Sequence, residues 1–242
     1  KVLEVTPANI LSTPRYLQAR PEPRPSALSK DLFHVGIVWA GKPEHGNDAN
    51  RSLPSAEILA PLFTLPGVVF HSLQKGPRED ECQPFGIAQP AKDFNDFDDT
   101  AAFIQHLDLV VTVDTAIAHL AGALGKPVWI LVHAPPERRW YPYGETTLWY
   151  PSARLFIQKT PGDWAEVIGR LAIALSALSS PNTHRQTANL HAGPETVGHN
   201  AAASFLLFFN RGMDALRGGD LENALAHFQQ ATEIQPASLQ GH

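Results

Sequence analysis

The sequence has a single cysteine, Cys82, so no intrachain disulfide can form, and a reducing, cytoplasmic setting is expected. Charge is scarce. Asp, Glu, Lys and Arg make up 18% of the 242 residues, and the net charge is −5. A protein held to nucleic acid by phosphate contacts is usually basic, so that class is set aside. No apolar run approaches the ~20 residues that span a bilayer, so no membrane span is expected. Residues 1–30 carry five prolines and lack the apolar stretch of a secretory signal. Neither a GxGxxG fingerprint nor a P-loop is present. The eleven histidines and lone cysteine show no metal-ligand spacing, so no metal site is expected.

What is present is a large apolar fraction, 43%, which excludes a wholly disordered chain and is enough to bury a core. The chain reads in four parts: a Pro-rich lead-in over 1–30, an ordered region over 31–178, a polar linker over 179–204 and a helical region over 205–242. Within 31–178, strands are expected at Phe33–Ala40, Gly67–Leu73, Leu107–Val113, Pro127–Val132 and Arg154–Ile157. Helices are expected at Pro54–Leu65, Asp98–His106, Ala116–Leu124 and Trp164–Leu178. Strands without polar alternation, interleaved with helices, imply an α/β fold: a Rossmann-like parallel sheet with helices on both faces. Such sheets bind ligands beyond the carboxyl ends of their strands, where strand order reverses. The loops after Trp39, Leu73, Val113 and Val132 therefore carry most functional weight.

The strongest local signal is the run VTVDTAIAHLAGALGKP, from Val111 to Pro127. A buried strand ends in Asp114-Thr115 and passes directly into a helix. The first free N–H groups of that helix, with the Thr115 hydroxyl and the helix dipole, form an anion site. His119 lies one turn in, on the side of the same mouth. Asp114 or Thr115 as a simple helix cap accounts for the same residues, and the local chemistry leaves both readings open. The loop WAGKPEHGNDANRS is long and polar; Gly41 allows close backbone approach, and Lys42 and Arg51 are able to meet phosphate. Gln74 and Lys75 leave the second strand beside it. The acidic run Asp93–Thr100 reads as a turn and helix cap rather than an acid/base pair. Arg138 and Arg139, in the loop after Val132, are able to close over a ligand or to serve as surface charge.

Together these motifs resemble the C-terminal, donor-binding lobe of glycosyltransferases of the two-lobed GT-B fold, in particular the heptosyltransferase-like group often fused to tetratricopeptide repeats. The segments that carry the resemblance are VGIVWAGKPEH, NRSLP, LPGVVFHSLQKG, FDDTAAFIQHLDLVVTVDTAIAHLAGALGKPVWIL, RRWYPYG and PGDW, in order across residues 33–178. The resemblance implies half of a GT-B fold and a nucleoside diphosphate sugar as donor substrate, with no cofactor required. It implies donor-binding roles for Gly41, Arg51, Gln74, Lys75, Asp114, Thr115 and His119. Ala116 departs from the family, which usually has glycine after Asp-Thr. A GT-B enzyme also needs an N-terminal acceptor lobe, and only some 30 residues precede the first strand. The expectation is that this lobe lies upstream or in another chain, and no catalytic residue is assigned. A non-catalytic nucleotide-binding or protein-interaction module is the alternative.

The stretch from Asn210 to Pro236 resembles one tetratricopeptide repeat, with Gly212, Ala224, Phe228, Ala231 and Pro236 at that motif's spacing. Such repeats need neighbours to bury their faces, so the helical hairpin over 205–242 is expected to meet a protein partner, another copy or the sheet domain.

Overall fold

The structure, a computed structural model, describes residues 15–140 and 144–178. The chain divides into two compact units, and every described residue belongs to one of them, Thr13–Gln186. The expected linker over 179–204 and the repeat over 205–242 lie outside the described residues.

Five strands form one parallel sheet: β1 (Phe33–Val38), β2 (Val68–Ser72), β3 (Leu109–Val113), β4 (Val128–Val132) and β5 (Ala153–Ile157), in the order β2-β1-β3-β4-β5. All contacts between neighbouring strands are parallel, with Val35 paired to Phe70 on one side and to Leu109 on the other. β1, β3 and β4 are buried at every position, as their unbroken apolar runs require. Side chains alternate between two cores. Val35, Ile37, Val111, Val113, Trp129 and Leu131 share one core with Leu59, Leu62, Trp164, Val167 and Leu171. Val38, Val110, Ile130 and Val132 share the other with Ala101, Ile104, Ala118 and Ala121. Gly36 sits where an added Cβ would come within 2.6 Å of Leu107 Cδ1, so its small size lets the segment after the third helix reach β1.

The helices are α1 (Asp48–Arg51), α2 (Ala60–Phe63), α3 (Phe97–Ile104), α4 (Ala116–Ala123) and α5 (Trp164–Leu178). The helix expected over Pro54–Leu65 is instead a 3₁₀ turn, Ala56–Leu59, followed by the short α2. Pro61 lacks the N–H that would continue an α-helical ladder from the preceding turn, so it sits at the start of α2. Further 3₁₀ turns at Glu79–Phe85 and Pro90–Asp93 fall where no element was expected.

At α3 the acidic run acts as the bland reading requires. Asp96 caps the helix by accepting from the N–H groups of Asp98 and Asp99 at 2.8 and 3.0 Å. Arg20 then donates to the Asp98 and Asp99 carboxylates at 2.8 and 2.6 Å. Residues 15–30 of the Pro-rich stretch are tied along this unit: Tyr16 and Leu17 donate their N–H groups to Ala123 O, both at 3.0 Å. Arg24 donates to His106 O at 3.1 Å. Among the described residues, no helix is long and apolar enough to cross a membrane.

Candidate functional site

The strand order reverses between β1 and β3. At the carboxyl ends of β1, β2 and β3 the structure holds a cavity of about 570 Å³. One side is the loop after β1, with Ala40, Gly41 and Lys42; Arg51 of α1 lies below it. Gln74 and Lys75 line the cavity from the end of β2, and Phe97 from the first turn of α3. The third side is the N-terminus of α4: Thr115, Ala116 and Ile117.

Five of the seven residues singled out from sequence, Gly41, Arg51, Gln74, Lys75 and Thr115, therefore meet at one cavity. Their free polar atoms differ from expectation. Gln74 is buried, and its amide is taken up by backbone: Oε1 accepts from the N–H groups of Trp39 and Ala40 at 3.1 and 2.9 Å, and Nε2 donates to Ala40 O and Lys75 O at 3.1 and 2.9 Å. Gln74 shapes the wall of the cavity instead of offering it a donor. Lys75 Nζ donates to Ala91 O and Phe94 O, both at 2.8 Å, so its ammonium is turned toward the 90–94 turn. Arg51 remains against the cavity. Its Nε meets Asp48 Oδ1 at 3.3 Å and its Nη1 donates to Asp114 O at 3.3 Å. The guanidinium also passes so close over Gly41 that a Cβ there would overlap Nη2. A side chain at 41 would therefore displace the Arg51 guanidinium from its present place.

Thr115 caps α4, accepting from Ile117 N at 3.3 Å, and its hydroxyl also meets that of the buried Thr112 at 3.0 Å. Capping and cavity lining thus coexist at Thr115, and the Ala116 N–H leads the helix N-terminus.

Asp114 and His119 are not among the residues that line the cavity. They belong to an adjoining cluster built with the loop after β4. Asp114 is 4% exposed, and its carboxylate lies 4.0 Å from both His119 Nε2 and Arg139 Nε. Arg139 Nη1 donates to His119 Nε2 at 3.3 Å, and Arg139 Nη2 to Glu137 Oε2 at 2.7 Å. The other ring nitrogen of His119, Nδ1, meets Tyr150 OH at 2.9 Å, and the imidazole stacks on Trp140 with centroids 5.6 Å apart. Burial pushes the His119 pKa below its ordinary value; Arg139 acts in the same direction and Asp114 opposes. The Arg139 guanidinium holds Glu137 below the usual carboxylate range. Asn47, in the loop after β1, closes the cluster by meeting His133 Nε2 at 3.1 Å and donating to Glu137 Oε1 at 3.5 Å.

Sequence reasoning left Arg139 as either ligand-facing or surface charge, and it did not single out Tyr150, Trp140 or Asn47. The RRWYPYG segment was the signal for Arg139 and Trp140. Nothing in the order of residues marks Tyr150, which reaches His119 from the segment before β5, against Gly122 of α4. Among the described residues, no group of three or more His, Cys, Asp and Glu side chains could hold a metal ion.

Comparison with known proteins bears on this geometry. The model of glycosyltransferase family 9 (heptosyltransferase) matches residues 95–154. That stretch takes in α3, β3, α4 and β4 with their loops. The curated protein FlbA of Caulobacter vibrioides is 34% identical over 157 residues, covering 58% of this chain and 24% of FlbA. The chain thus spans about a quarter of that relative's length. Two solved structures from E. coli are similar at 18% identity. ADP-heptose lipopolysaccharide heptosyltransferase II has a TM-score of 0.44, with 62% of this chain and 47% of that one covered. Heptosyltransferase WaaC with ADP-2-deoxy-2-fluoro heptose has a TM-score of 0.38, with 64% and 44% covered.

Proposed function

We propose that residues 31–178 form the donor-binding lobe of a glycosyltransferase, which takes a nucleoside diphosphate sugar into the cavity at the β1/β3 switch point. The observation that carries this reading is the family 9 match over residues 95–154, because it falls on the elements that bring the α4 N-terminus to that cavity. The diphosphate would lie against the Ala116 N–H, Lys42 and Arg51. The exposed face of Phe97 and the apolar wall beside it would take the base.

In this reading the lobe acts electrostatically. As the bond from the anomeric carbon to the diphosphate breaks, negative charge grows on the leaving phosphate. The helix N-terminus and Arg51, already held in place by Asp48 and the Asp114 carbonyl, meet that charge without reorganising. Acceptor binding and the catalytic base belong to an N-terminal lobe. The repeat-like sequence over 205–242 would bring in a protein partner or a second copy.

Calorimetric titration of the full chain with UDP-, ADP- and GDP-sugars tests the proposal. One of them is expected to bind, and Arg51→Gln to weaken it about tenfold or more, as loss of a charge-assisted contact implies. If none binds at millimolar concentration, the proposal fails.

A further inference from the structure

Arg51 carries more donors than its protein partners use. Nε meets Asp48 Oδ1 at 3.3 Å, and Nη1 donates to Asp114 O at 3.3 Å. Nη2 meets no acceptor among the described residues. The side chain is only 13% exposed, and a largely buried donor left without an acceptor is costly. A Cβ added to Gly41 would come within 2.3 Å of Nη2, so this nitrogen lies over the Gly41 backbone, in the cavity wall that both residues form.

The pairing with Asp48 is one-sided, whereas a carboxylate commonly takes two donors of a guanidinium at once. Ser52 supplies the cause. Its hydroxyl accepts from Gly41 N–H at 2.9 Å and donates to the same Asp48 Oδ1 at 2.8 Å. The direction of this chain is fixed, because an N–H can only give a proton and a carboxylate can only take one. Ser52 is buried, and the backbone around it is held on both sides. Ser52 N–H donates to Asp48 O and Leu53 N–H to Trp39 O, both at 2.9 Å. Neither Asp48 nor Ser52 lines the cavity, so whatever they do there passes through Arg51 and Gly41.

We infer that Ser52 is a positioning residue for Arg51: pinned under the Gly41 N–H, its hydroxyl holds Asp48 Oδ1 on Nε alone and so leaves Nη2 to a phosphate oxygen of the ligand. What the inference says of phosphate rests on the proposed donor reading; what it says of the pairing does not. Without the Ser52 hydroxyl, the Asp48 carboxylate turns to take Nε and Nη2 together. The guanidinium is then neutralised by its own chain, and its free donor is withdrawn from the cavity.

Proton exchange and ligand affinity, measured separately on the full chain, test the two halves. Exchange of the Arg51 side-chain protons is followed in ¹H–¹⁵N spectra, with Arg51 assigned by its loss in Arg51→Gln. The Nη protons are expected to exchange more slowly in Ser52→Ala than in the wild type, as Asp48 takes Nη2; unchanged exchange overturns the inference. In parallel, ADP, UDP and GDP are titrated by calorimetry. Ser52→Ala is expected to weaken whichever binds by about threefold to tenfold, the range of one lost hydrogen bond. In an Arg51→Gln background the same substitution should change affinity by less than about twofold, because the group it positions is gone. An equal loss in both backgrounds shows that Ser52 shapes the loop by itself, and overturns the inference. Asp48→Asn keeps Oδ1 for Ser52 and Nε but offers Nη2 no second acceptor, so it keeps the test available if Ser52→Ala does not fold. It is expected to bind at least as tightly as the wild type, and a loss of about threefold or more overturns the inference. Failure of all three nucleotides to bind the wild type overturns the donor reading and leaves the pairing to be decided by proton exchange.

Discussion

The Gln74 side chain is bonded to the Ala40 backbone at both ends, with Oε1 accepting from Ala40 N–H at 2.9 Å and Nε2 donating to Ala40 O at 3.1 Å. In effect the amide continues the β1–β2 ladder for one more residue, past the last backbone pairs. It fixes the path of the chain into the loop that carries Gly41 and Lys42. Gln74→Met keeps the volume but leaves the buried N–H groups of Trp39 and Ala40 without their acceptor. We expect a loss of about 1–3 kcal/mol in urea unfolding, the cost of orphaned buried polar groups. A loss under about 0.5 kcal/mol would show that water replaces the amide without cost.

Lys75 separates a structural role from a binding one. With Nζ on Ala91 O and Phe94 O, its charge supports the turn at Pro90–Asp93. Lys75→Met is expected to cost about 1–2 kcal/mol of stability, by analogy with other hydrogen bonds from charged groups. Nucleotide-sugar affinity should change less than Arg51→Gln changes it. Titration calorimetry of both variants beside their melting curves decides this. Full stability with lost affinity in Lys75→Met would place the ammonium on the ligand after all.

The buried pair His34 and His71 gives the fold an acid limit. His34 Nδ1 meets His71 Nε2 at 2.9 Å, and His34 Nε2 donates to Ser29 O at 2.7 Å. Burial, aided by the neighbouring His34, lowers the His71 pKa from 6.5 to about 4. A histidine with a lowered folded pKa binds its proton more readily in the unfolded chain. Its full contribution is therefore present above pH 6.5 and is lost as pH falls from 6.5 toward 4. At pH 5 the loss from this residue is about 2 kcal/mol. Urea unfolding between pH 7.5 and 5 should show that decline, and His71→Gln should flatten it. An equal slope in the variant would assign the acid sensitivity to other groups.

The parts of the fold that follow one-dimensional rules were legible in the sequence. β1, β3 and β4 are apolar at nearly every position because helices cover both faces, and α5 runs from Trp164 to Leu178 as its periodicity implied. The apolar pattern over Pro54–Leu65 implies one helix, but Pro61, which cannot donate to the preceding turn, divides it into a 3₁₀ turn and α2. Gly41, Gln74, Lys75 and Thr115 meet at one cavity as the strand ends imply, since the carboxyl edge of a parallel sheet can be located from the strands alone. Their side-chain directions cannot. Whether Lys75 faces a ligand or Phe94 O, and whether His119 faces the cavity or Tyr150, depends on packing between segments far apart in sequence. Tyr150 belongs to that second kind and left no local trace.

Phe97 combines exposure with a place at the cavity. It opens α3, lies in the wall of the cavity and is 58% exposed, although it is large and apolar. Capping of α3 depends on Asp96, so the helix start does not need an aromatic ring. On the donor reading, its free face stacks the base. Stacking on an aromatic side chain contributes about 1–3 kcal/mol per base, so Phe97→Ala should weaken nucleoside diphosphate sugar binding by about tenfold or more. Inorganic pyrophosphate, which has no base, should bind the variant and the wild type alike. Because the ring is exposed, the melting temperature should hardly move. Phe97→Trp adds a reporter at the same place, whose fluorescence should be quenched by a nucleotide and not by pyrophosphate. If Phe97→Ala binds the nucleotide sugar as well as the wild type does, the base lies elsewhere in the cavity. If both nucleotide and pyrophosphate weaken together, the ring instead maintains the shape of the phosphate site, and the loop at Lys42 becomes the place to look for the base.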